Sequence, residues 1–287
     1  IRDRVNSIVM LLSNVALNYC LIFGKGGFPA AGIAGAAIAS SVSEAVSLLF
    51  FIIYTSMTAD KRKYGFRRAF TLRPHLLKGM LSISGWTMVQ SFISVSIWFI
   101  FFLAIEHLGE RPLAVTNIVR NISALLIMVI SAFATTAGAL ISNQIGAGEQ
   151  RCLFKTCGMT LKLTYAILIP LLIILCLFPE PVLRAFTDSP SLIAASVNSV
   201  YVMASSTLIM APSFILFNAV SGTGNTKAGF IMEMISLAVY TAVIYYGIIR
   251  LKPDVALCWF SEHVYGVTLI ILAWWYLKSG KWRGKKV

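Results

Sequence analysis

The stretch NISALLIMVISAFATTAGALISNQIGAG, residues 121–148, runs for 28 residues without a charged side chain. A helix needs about 20 apolar residues to cross a bilayer, and this stretch is long enough to do so. Seven similar stretches surround it. The sequence therefore predicts membrane-spanning helices at 5–23, 33–57, 77–105, 114–142, 155–178, 196–220, 228–248 and 255–277. The predicted fold class is all-α, a polytopic membrane helical bundle with eight transmembrane helices.

The composition excludes an ordinary soluble domain. Hydrophobic residues make up 58% of the chain and charged residues only 12%, whereas soluble domains carry about 25% charged residues. The five cysteines are odd in number, scattered, and without the paired spacing of a zinc or redox site. We interpret them as small apolar side chains and expect no bound metal.

The distribution of basic residues predicts the orientation in the membrane. With eight spans, the connections alternate between the two sides, and 17 Lys and Arg residues lie on one side against 5 on the other. The richer side is expected to be cytoplasmic, which places both ends of the chain in the cytoplasm and the protein in the cell (inner) membrane. Topology and contact with anionic lipid then explain the net charge of +13 without a nucleic-acid partner. The most polar stretch, 58–75, is predicted to be a basic cytoplasmic linker between helices 1–57 and 76–287.

Several motifs carry a resemblance to a known family. In chain order they are NVALNYCLIFG at 14–24, GIAGAAIA at 32–39, SNQIGAGE at 142–149 and SGTGNTK at 221–227. They resemble segments of helices five, six, eight and ten to eleven of the multidrug and toxic compound extrusion (MATE) transporters. Members have twelve helices in two six-helix lobes. The resemblance implies that this chain, which opens at Ile1 without an initiator Met, holds helices five to twelve: the last two helices of the N-lobe at 1–57, the linker at 58–75, and the C-lobe at 76–287.

Two amide side chains in the first span form a candidate coupling site. Asn14 and Asn18 are four residues apart and therefore share one face of the helix. Their oxygens could bind a cation or a proton-carrying carboxyl group. The resemblance implies an Asn and an Asp at these positions in the ion-coupling cavity of some members, so Asn18 replaces an ionisable group. The alternative is interhelical packing worth roughly 0.6–2 kcal/mol.

Carboxyl groups inside spans are further candidates, because a charge at the bilayer centre costs about 2.5–3.5 kcal/mol. Glu44, beside Ser43 and Ser47, is a candidate for ion or proton coupling. Glu262 and the adjacent His263 are predicted to form a carboxylate and imidazole unit in the substrate cavity. The alternative for both glutamates is an interhelical hydrogen bond. Glu233 is also a functional candidate, but its position close to Lys227 favours a helix-end charge in reach of water.

Gln90 is the last candidate for the substrate cavity. The resemblance implies a cation-binding Glu on the seventh helix at this position, and Gln can hydrogen-bond but cannot exchange a proton. An interhelical hydrogen bond is the alternative. Three aromatic residues of the same span are candidates for the cavity lining: Trp86, Phe92 and Trp98.

The predicted function is transport rather than catalysis. The chain has no Ser-His-Asp set or His-rich cluster, and the spacing in 222–227 does not fit a Walker phosphate loop. The resemblance implies secondary active efflux of organic, often cationic, drugs or toxic compounds by alternating access. Entry of H⁺ or Na⁺ would drive it, with no cofactor, and the partners would be a small-molecule substrate and the lipid bilayer, with no obligate protein partner.

A lipid-linked saccharide flippase of the same broad superfamily is the alternative. A flippase would have a more cationic cavity, and Arg120, inside a predicted span, is a modest indication of one. A membrane enzyme and a scaffold are further alternatives.

Overall fold

The computed structural model of the chain describes residues 2–58, 74–280 and 282. These residues form helices and connecting turns, with no strand among them. The helices are α1 (Arg2–Phe23), α2 (Gly32–Thr58), α3 (Pro74–Glu106), α4 (Glu110–Gly146), α5 (Leu153–Leu177), α6 (Pro179–Arg184), α7 (Pro190–Gly222), α8 (Thr226–Val243), α9 (Val255–Cys258) and α10 (Phe260–Ser279). A 3-10 turn at Gln150–Cys152 precedes α5, and α8 continues as a π-helix over Ile244–Arg250.

Eight helical segments of the described chain are long and apolar enough to cross a membrane. Each coincides with a predicted span, so the prediction of an all-α membrane bundle is confirmed. Several of the observed helices, α4 and α7 among them, extend beyond the predicted apolar segments. The longest such extension is at α7, which begins at Pro190, where the fixed φ of proline suits the first helical position.

The chain divides into two compact units, residues 1–77 and 78–287. In the first unit α1 packs against α2, and Gly35 of α2 faces the carbonyl of Leu21, leaving no room for a side chain. Asn6 Nδ2 donates to Ser47 Oγ at 2.9 Å across the same pair of helices. Of the predicted linker, 59–73 lies outside the described residues. Assignment of the units to the N-lobe and C-lobe stays a prediction.

The core of the second unit is built around α7, which packs against α4, α5 and α10. The backbones of α4 and α7 come together at Gly138 and Gly222. A Cβ added to Gly222 would lie 2.5 Å from the Gly138 oxygen. Small residues allow such close approach in membrane proteins, where packing rather than hydrophobic exclusion of water holds helices together.

Two of the glycine-containing motifs form turns that need positive φ angles. Gly148 follows the end of α4 at φ +81, and Gly224 separates α7 from α8 at φ +77. Asn225 then caps α8, because its side chain accepts a hydrogen bond from the Ala228 N–H at 3.3 Å. These motifs shape the connections between helices.

Helix α3 is attached mainly at its C-terminal end. Phe101, which is 1% exposed, lies with Ile105 in a cluster with the end of α8. Earlier in α3, Phe92 is 75% exposed, and the Trp86 ring packs on Phe230 of α8 at 5.1 Å between centroids. The N-terminal half of α3 is therefore the more exposed half.

Candidate functional site

A cavity of about 470 Å³ lies within the second unit, among α3, α4, α7, α8 and α10. Its volume is within the range of roughly 300–1,000 Å³ typical of sites for small organic molecules. Most of its walls are apolar, and one basic and two acidic side chains interrupt them. The lining residues are Ser94, Val95, Trp98, Arg120, Ser123, Ala124, Ile127, Met128, Ser131, Met210, Phe214, Glu233, Leu237, Tyr240, Glu262 and Tyr265.

Glu233 is a wall residue of this cavity. Its side chain is 4% exposed, and Oε1 accepts hydrogen bonds from Ser94 Oγ and Tyr265 OH, both at 2.9 Å. Its second oxygen, Oε2, is buried and has no hydrogen-bond partner. The prediction that Glu233 is a helix-end charge in reach of water was wrong. Its distance along α8 from Lys227 was the basis of that prediction, but α3 and α10 cover it.

Glu262 of α10 lines the same cavity and has a matching arrangement. Its Oε1 accepts a hydrogen bond from Tyr240 OH at 2.8 Å. Each carboxyl group therefore pairs with a tyrosine of the other helix. Glu233 of α8 pairs with Tyr265 of α10, and Glu262 of α10 pairs with Tyr240 of α8. The two tyrosine rings meet edge to face, with centroids 5.8 Å apart. The interhelical hydrogen bond that sequence reasoning left open for Glu262 is present, and its carboxyl group also faces the cavity.

Arg120 of α4 brings the opposite charge to the cavity. Its guanidinium carbon lies 5.2 Å from the centre of the Phe102 ring and 6.0 Å from that of Trp98. Nε is buried without a hydrogen-bond partner. The aromatic rings stabilise the cation through their faces. Of the three aromatic residues suggested from the sequence, Trp98 lines the cavity, whereas Trp86 and Phe92 do not.

The structure separates His263 from Glu262. His263 Nε2 lies 2.9 Å from Ser205 Oγ, and its ring stacks on Phe260 with centroids 4.5 Å apart. Among the described residues, His263 is not part of the cavity wall. The predicted carboxylate and imidazole unit is therefore not formed, because neighbouring residues on a helix point about 100° apart.

Gln90 also lies outside the cavity wall, one helical turn before Ser94 on α3. Its side chain is partly exposed. A role in substrate binding stays a prediction for this residue.

The first unit holds the other predicted site. Asn18 Nδ2 donates to Asn14 Oδ1 at 2.8 Å, and Asn14 Nδ2 approaches Ser40 Oγ at 3.4 Å. Asn18 Oδ1 is buried without a partner. The structure thus brings the two amides together, as the spacing indicated. Glu44 is exposed on α2, and coupling by these three residues stays a prediction.

Sequence reasoning missed Arg120, Glu233 and their neighbours as a single site. A signal was present in the spacing, because Glu233 and Tyr240 are seven residues apart on α8 and share a face. Glu262 and Tyr265 are three apart on α10 and share one too. Two membrane helices that each carry a Glu and a Tyr on one face can form such reciprocal Glu–Tyr hydrogen bonds.

A family model and several known proteins match the sequence of this chain. The MatE family model matches residues 87–246, which is more than half of the chain. A protein of Thermotoga maritima named "Probable multidrug resistance protein NorM" is 26% identical over 96% of this chain and 59% of its own length. The "Uncharacterized transporter YisQ" of Bacillus subtilis is 25% identical over 80% of this chain and 50% of its own length.

Solved structures share the fold. A multidrug resistance MATE family transporter in an outward-facing conformation superposes with a TM-score of 0.81 at 18% identity, over 96% of this chain and 61% of its own. A MATE structure in the straight conformation gives 0.79 at 16% identity, over 96% and 62%. The chain thus spans about half to three fifths of the length of these relatives, in agreement with eight helices of an expected twelve. On the match of the family model, the chain belongs to the MATE family.

Proposed function

We propose that the protein exports amphipathic organic cations by alternating access, and that inward movement of H⁺ or Na⁺ drives the export. Membership in the MATE family supports transport rather than catalysis, and several relatives carry names that refer to multidrug resistance. Helical bundles of secondary transporters bind substrate near the middle of the membrane and expose the site to one side at a time.

The observation that carries this proposal is the pair of carboxyl groups in one cavity among the apolar helices. Glu233 and Glu262 each keep one oxygen occupied by tyrosine, and Glu233 Oε2 has no partner. An ionised carboxylate without a partner is costly in an apolar setting, so a proton, a sodium ion or the amine of a substrate would be stabilised there. The apolar walls would bind the body of an amphipathic molecule without strict shape requirements.

Competition for these carboxyl groups would couple the two movements. A proton or Na⁺ on Glu233 removes the negative charge that attracts a cationic substrate. Occupancy by the ion would then favour the conformation that releases the substrate, provided the ion binds that conformation more tightly. The amide pair Asn14 and Asn18, with Glu44, is a second place where the ion could act.

The flippase alternative is less well supported by the cavity. A site for a lipid-linked pyrophosphate needs several cations, whereas the lining residues provide one arginine against two carboxyl groups. An enzyme or a scaffold would show no movement of substrate against a gradient, which the transport experiment below tests directly.

The decisive experiment measures efflux of a fluorescent organic cation from proteoliposomes that contain the complete protein. Imposed H⁺ and Na⁺ gradients, applied separately, identify the coupling ion. We expect one gradient to drive dye movement, and we expect Glu233→Gln and Glu262→Gln to reduce it at least about tenfold, because the amide cannot become an anion. Glu106→Gln is the matched control, since Glu106 is exposed at the end of α3 and outside the cavity wall.

If dye movement out of proteoliposomes with the wild-type protein depended on neither gradient, the proposal of ion-driven transport would be wrong. Normal efflux in the double variant Glu233→Gln, Glu262→Gln would keep transport but move the coupling site elsewhere. Asn14 and Asn18 would then be the next positions to substitute.

We also propose that the protein lies in the cell membrane with both ends in the cytoplasm. Single cysteines placed in the connections of a variant without its five natural cysteines would report this with a membrane-impermeant thiol reagent. Labelling of the Gly24–Gly27 turn from outside intact cells, and of Gly224 only after lysis, is the expected pattern. The reverse pattern would invert the orientation.

A further inference from the structure

A second cavity, of about 360 Å³, lies in a groove between α4 and α5. Among the described residues, this α4–α5 groove shares no lining residue with the cavity described above. Its α4 wall extends from Ala132 to Gln144, which corresponds to a rise of about 18 Å along the helix. Half of the hydrocarbon core of a bilayer is about 15 Å thick. The groove therefore has the length of one leaflet.

The middle of the groove is lined mainly by hydrocarbon. Its large exposed apolar side chains are Leu140, Met159 and Leu163. Thr136 Oγ1 donates to the Ala132 carbonyl at 2.7 Å. In the same way, Thr160 Oγ1 donates to the Thr156 carbonyl at 2.9 Å. Both hydroxyl hydrogens are thus bound within their own helices, so the walls suit an acyl chain better than a polar ligand.

One end of the groove is polar. Gln144 and Thr156 meet there, close to the connection from α4 to α5, and Gln144 Oε1 accepts a hydrogen bond from Thr156 Oγ1 at 3.0 Å. The amide N–H groups of Gln144 stay available as donors, and this side chain is partly exposed. The groove thus combines an apolar interior with hydrogen-bond donors at one end, which is the arrangement that the acyl chain and phosphate ester of a lipid require.

Two lysines lie on α5 beside the groove. Lys155 and Lys162 are exposed and seven residues apart, so they share a face of the helix with Met159. No carboxyl group of the described ranges 2–58 and 74–280 forms an ion pair with either lysine. Lys162 lies about 14 Å along an apolar span, where an ammonium group without a partner is costly. An anion beside these lysines would offset that cost.

The charge of the surrounding segment also favours an anion. From 147 to 163 the sequence has one acidic residue, Glu149, against three basic residues, which are Arg151, Lys155 and Lys162. The orientation proposed above places the connection from α4 to α5 on the cytoplasmic side, whose leaflet contains anionic lipids.

We propose that the α4–α5 groove binds one anionic phospholipid, with an acyl chain between the two helices and its phosphate held by Lys155 and Lys162. A zwitterionic lipid fits the same apolar groove but brings a cationic amine close to the lysines, so it binds more weakly. The inference goes beyond the proposed transport function and does not depend on it.

The test uses two photoactivatable lipids that differ only in the headgroup. Phosphatidylglycerol and phosphatidylcholine with the same diazirine-bearing acyl chain are added, each in trace amounts, to phosphatidylcholine nanodiscs that contain the complete protein. After irradiation, mass spectrometry of peptides measures cross-linking to Leu140, Met159 and Leu163. We expect phosphatidylglycerol to label these residues at least about tenfold more than phosphatidylcholine does, because each lysine near an anionic headgroup should strengthen binding about fivefold.

Two kinds of variant separate the headgroup contact from the groove. The double variant Lys155→Gln, Lys162→Gln should lower labelling by phosphatidylglycerol at least about tenfold and change labelling by phosphatidylcholine less than about twofold. Ala132→Phe should lower labelling by both lipids, because Ala132 is exposed on the groove wall and a large side chain there fills the space of the acyl chain.

The double variant Lys227→Gln, Lys278→Gln is the matched control. It removes the same charge from the protein, and its two lysines lie over the rings of Trp86 and Trp274, at 6.0 and 4.6 Å from the ring centres. Neither lysine is part of the groove wall. Labelling of the groove by both lipids should therefore be unchanged.

Equal labelling of the wild-type groove by the two lipids would overturn the inference, and so would normal phosphatidylglycerol labelling of Lys155→Gln, Lys162→Gln. Normal labelling of Ala132→Phe would place the acyl chain elsewhere and would equally exclude the groove. If neither lipid labelled the groove in the complete protein, another segment of the chain or a second copy would cover it, and the lipid would be excluded. Efflux is not part of this measurement, so a failure of the proposed transport would be seen separately.

Discussion

Removing the hydroxyl group of Tyr265 should weaken the contact between α10 and α8. The free energy lost should depend on whether Glu233 is protonated or ionised. Tyr265→Phe deletes one of the two hydrogen bonds that Oε1 accepts, at 2.9 Å, and leaves the ring in place. A hydrogen bond to a neutral acceptor contributes about 0.5–1.5 kcal/mol, and one to a charged acceptor about 1.5–3 kcal/mol. Interhelical hydrogen bonds in membranes average only about 0.6 kcal/mol. The expected range therefore begins near 0.6 kcal/mol for a protonated Glu233 and reaches about 3 kcal/mol for an ionised one.

A double-mutant cycle with Tyr265→Phe and Glu233→Leu isolates this contribution. Reversible unfolding of the complete protein in mixed micelles gives the free energy of unfolding of each variant. The coupling energy should increase as pH rises, because the carboxylate accepts hydrogen bonds more strongly than the protonated acid. Tyr246→Phe is the control, since Tyr246 is 67% exposed. Additivity within about 0.3 kcal/mol at every pH would refute the hydrogen bond and with it the geometry of the site.

Other predictions concern packing and the limits of the site. Gly222→Ala should lower the free energy of unfolding by about 1–3 kcal/mol, because its Cβ would overlap the backbone of α4. Gly158→Ala should be neutral or stabilising by up to about 1 kcal/mol, since nothing lies within 4 Å of its added Cβ, and equal losses at both positions would contradict this packing. Asn14→Ala and Asn18→Ala should each reduce ion-driven efflux if the amides bind the coupling ion, and unchanged flux removes them from the mechanism. His263→Ala should leave dye binding within about twofold, because His263 lies outside the cavity wall, and a tenfold loss would return it to the site.

The transmembrane architecture could be predicted because it depends on properties that each segment carries alone. The length and apolarity of a span are local, and all eight predicted spans correspond to helices. The pairing of Asn14 with Asn18 was predictable for the same reason, since both lie on one helix at a fixed spacing.

The cavity could not be predicted in the same way because its residues come from five helices. The burial of Glu233 depends on Ser94 and Tyr265, which lie 139 and 32 positions away in the chain. Proximity to Lys227 in sequence suggested access to water, but depth in a bundle is decided by the neighbouring helices. The separation of Glu262 from His263 follows from helical geometry, because neighbouring residues on a helix point about 100° apart.

The uneven attachment of α3 limits how the cavity can be opened. Phe101 and Ile105 fix one end of this helix, whereas the N-terminal half is held by the Ser94–Glu233 hydrogen bond and by the packing of Trp86 on Phe230. A swing of α3 would therefore pivot about Phe101 and Ile105, and its N-terminal half would travel farthest. A ligand amine that takes the place of the Ser94 hydroxyl at Glu233 would remove one of these two contacts, so that ligand binding would loosen the cavity wall.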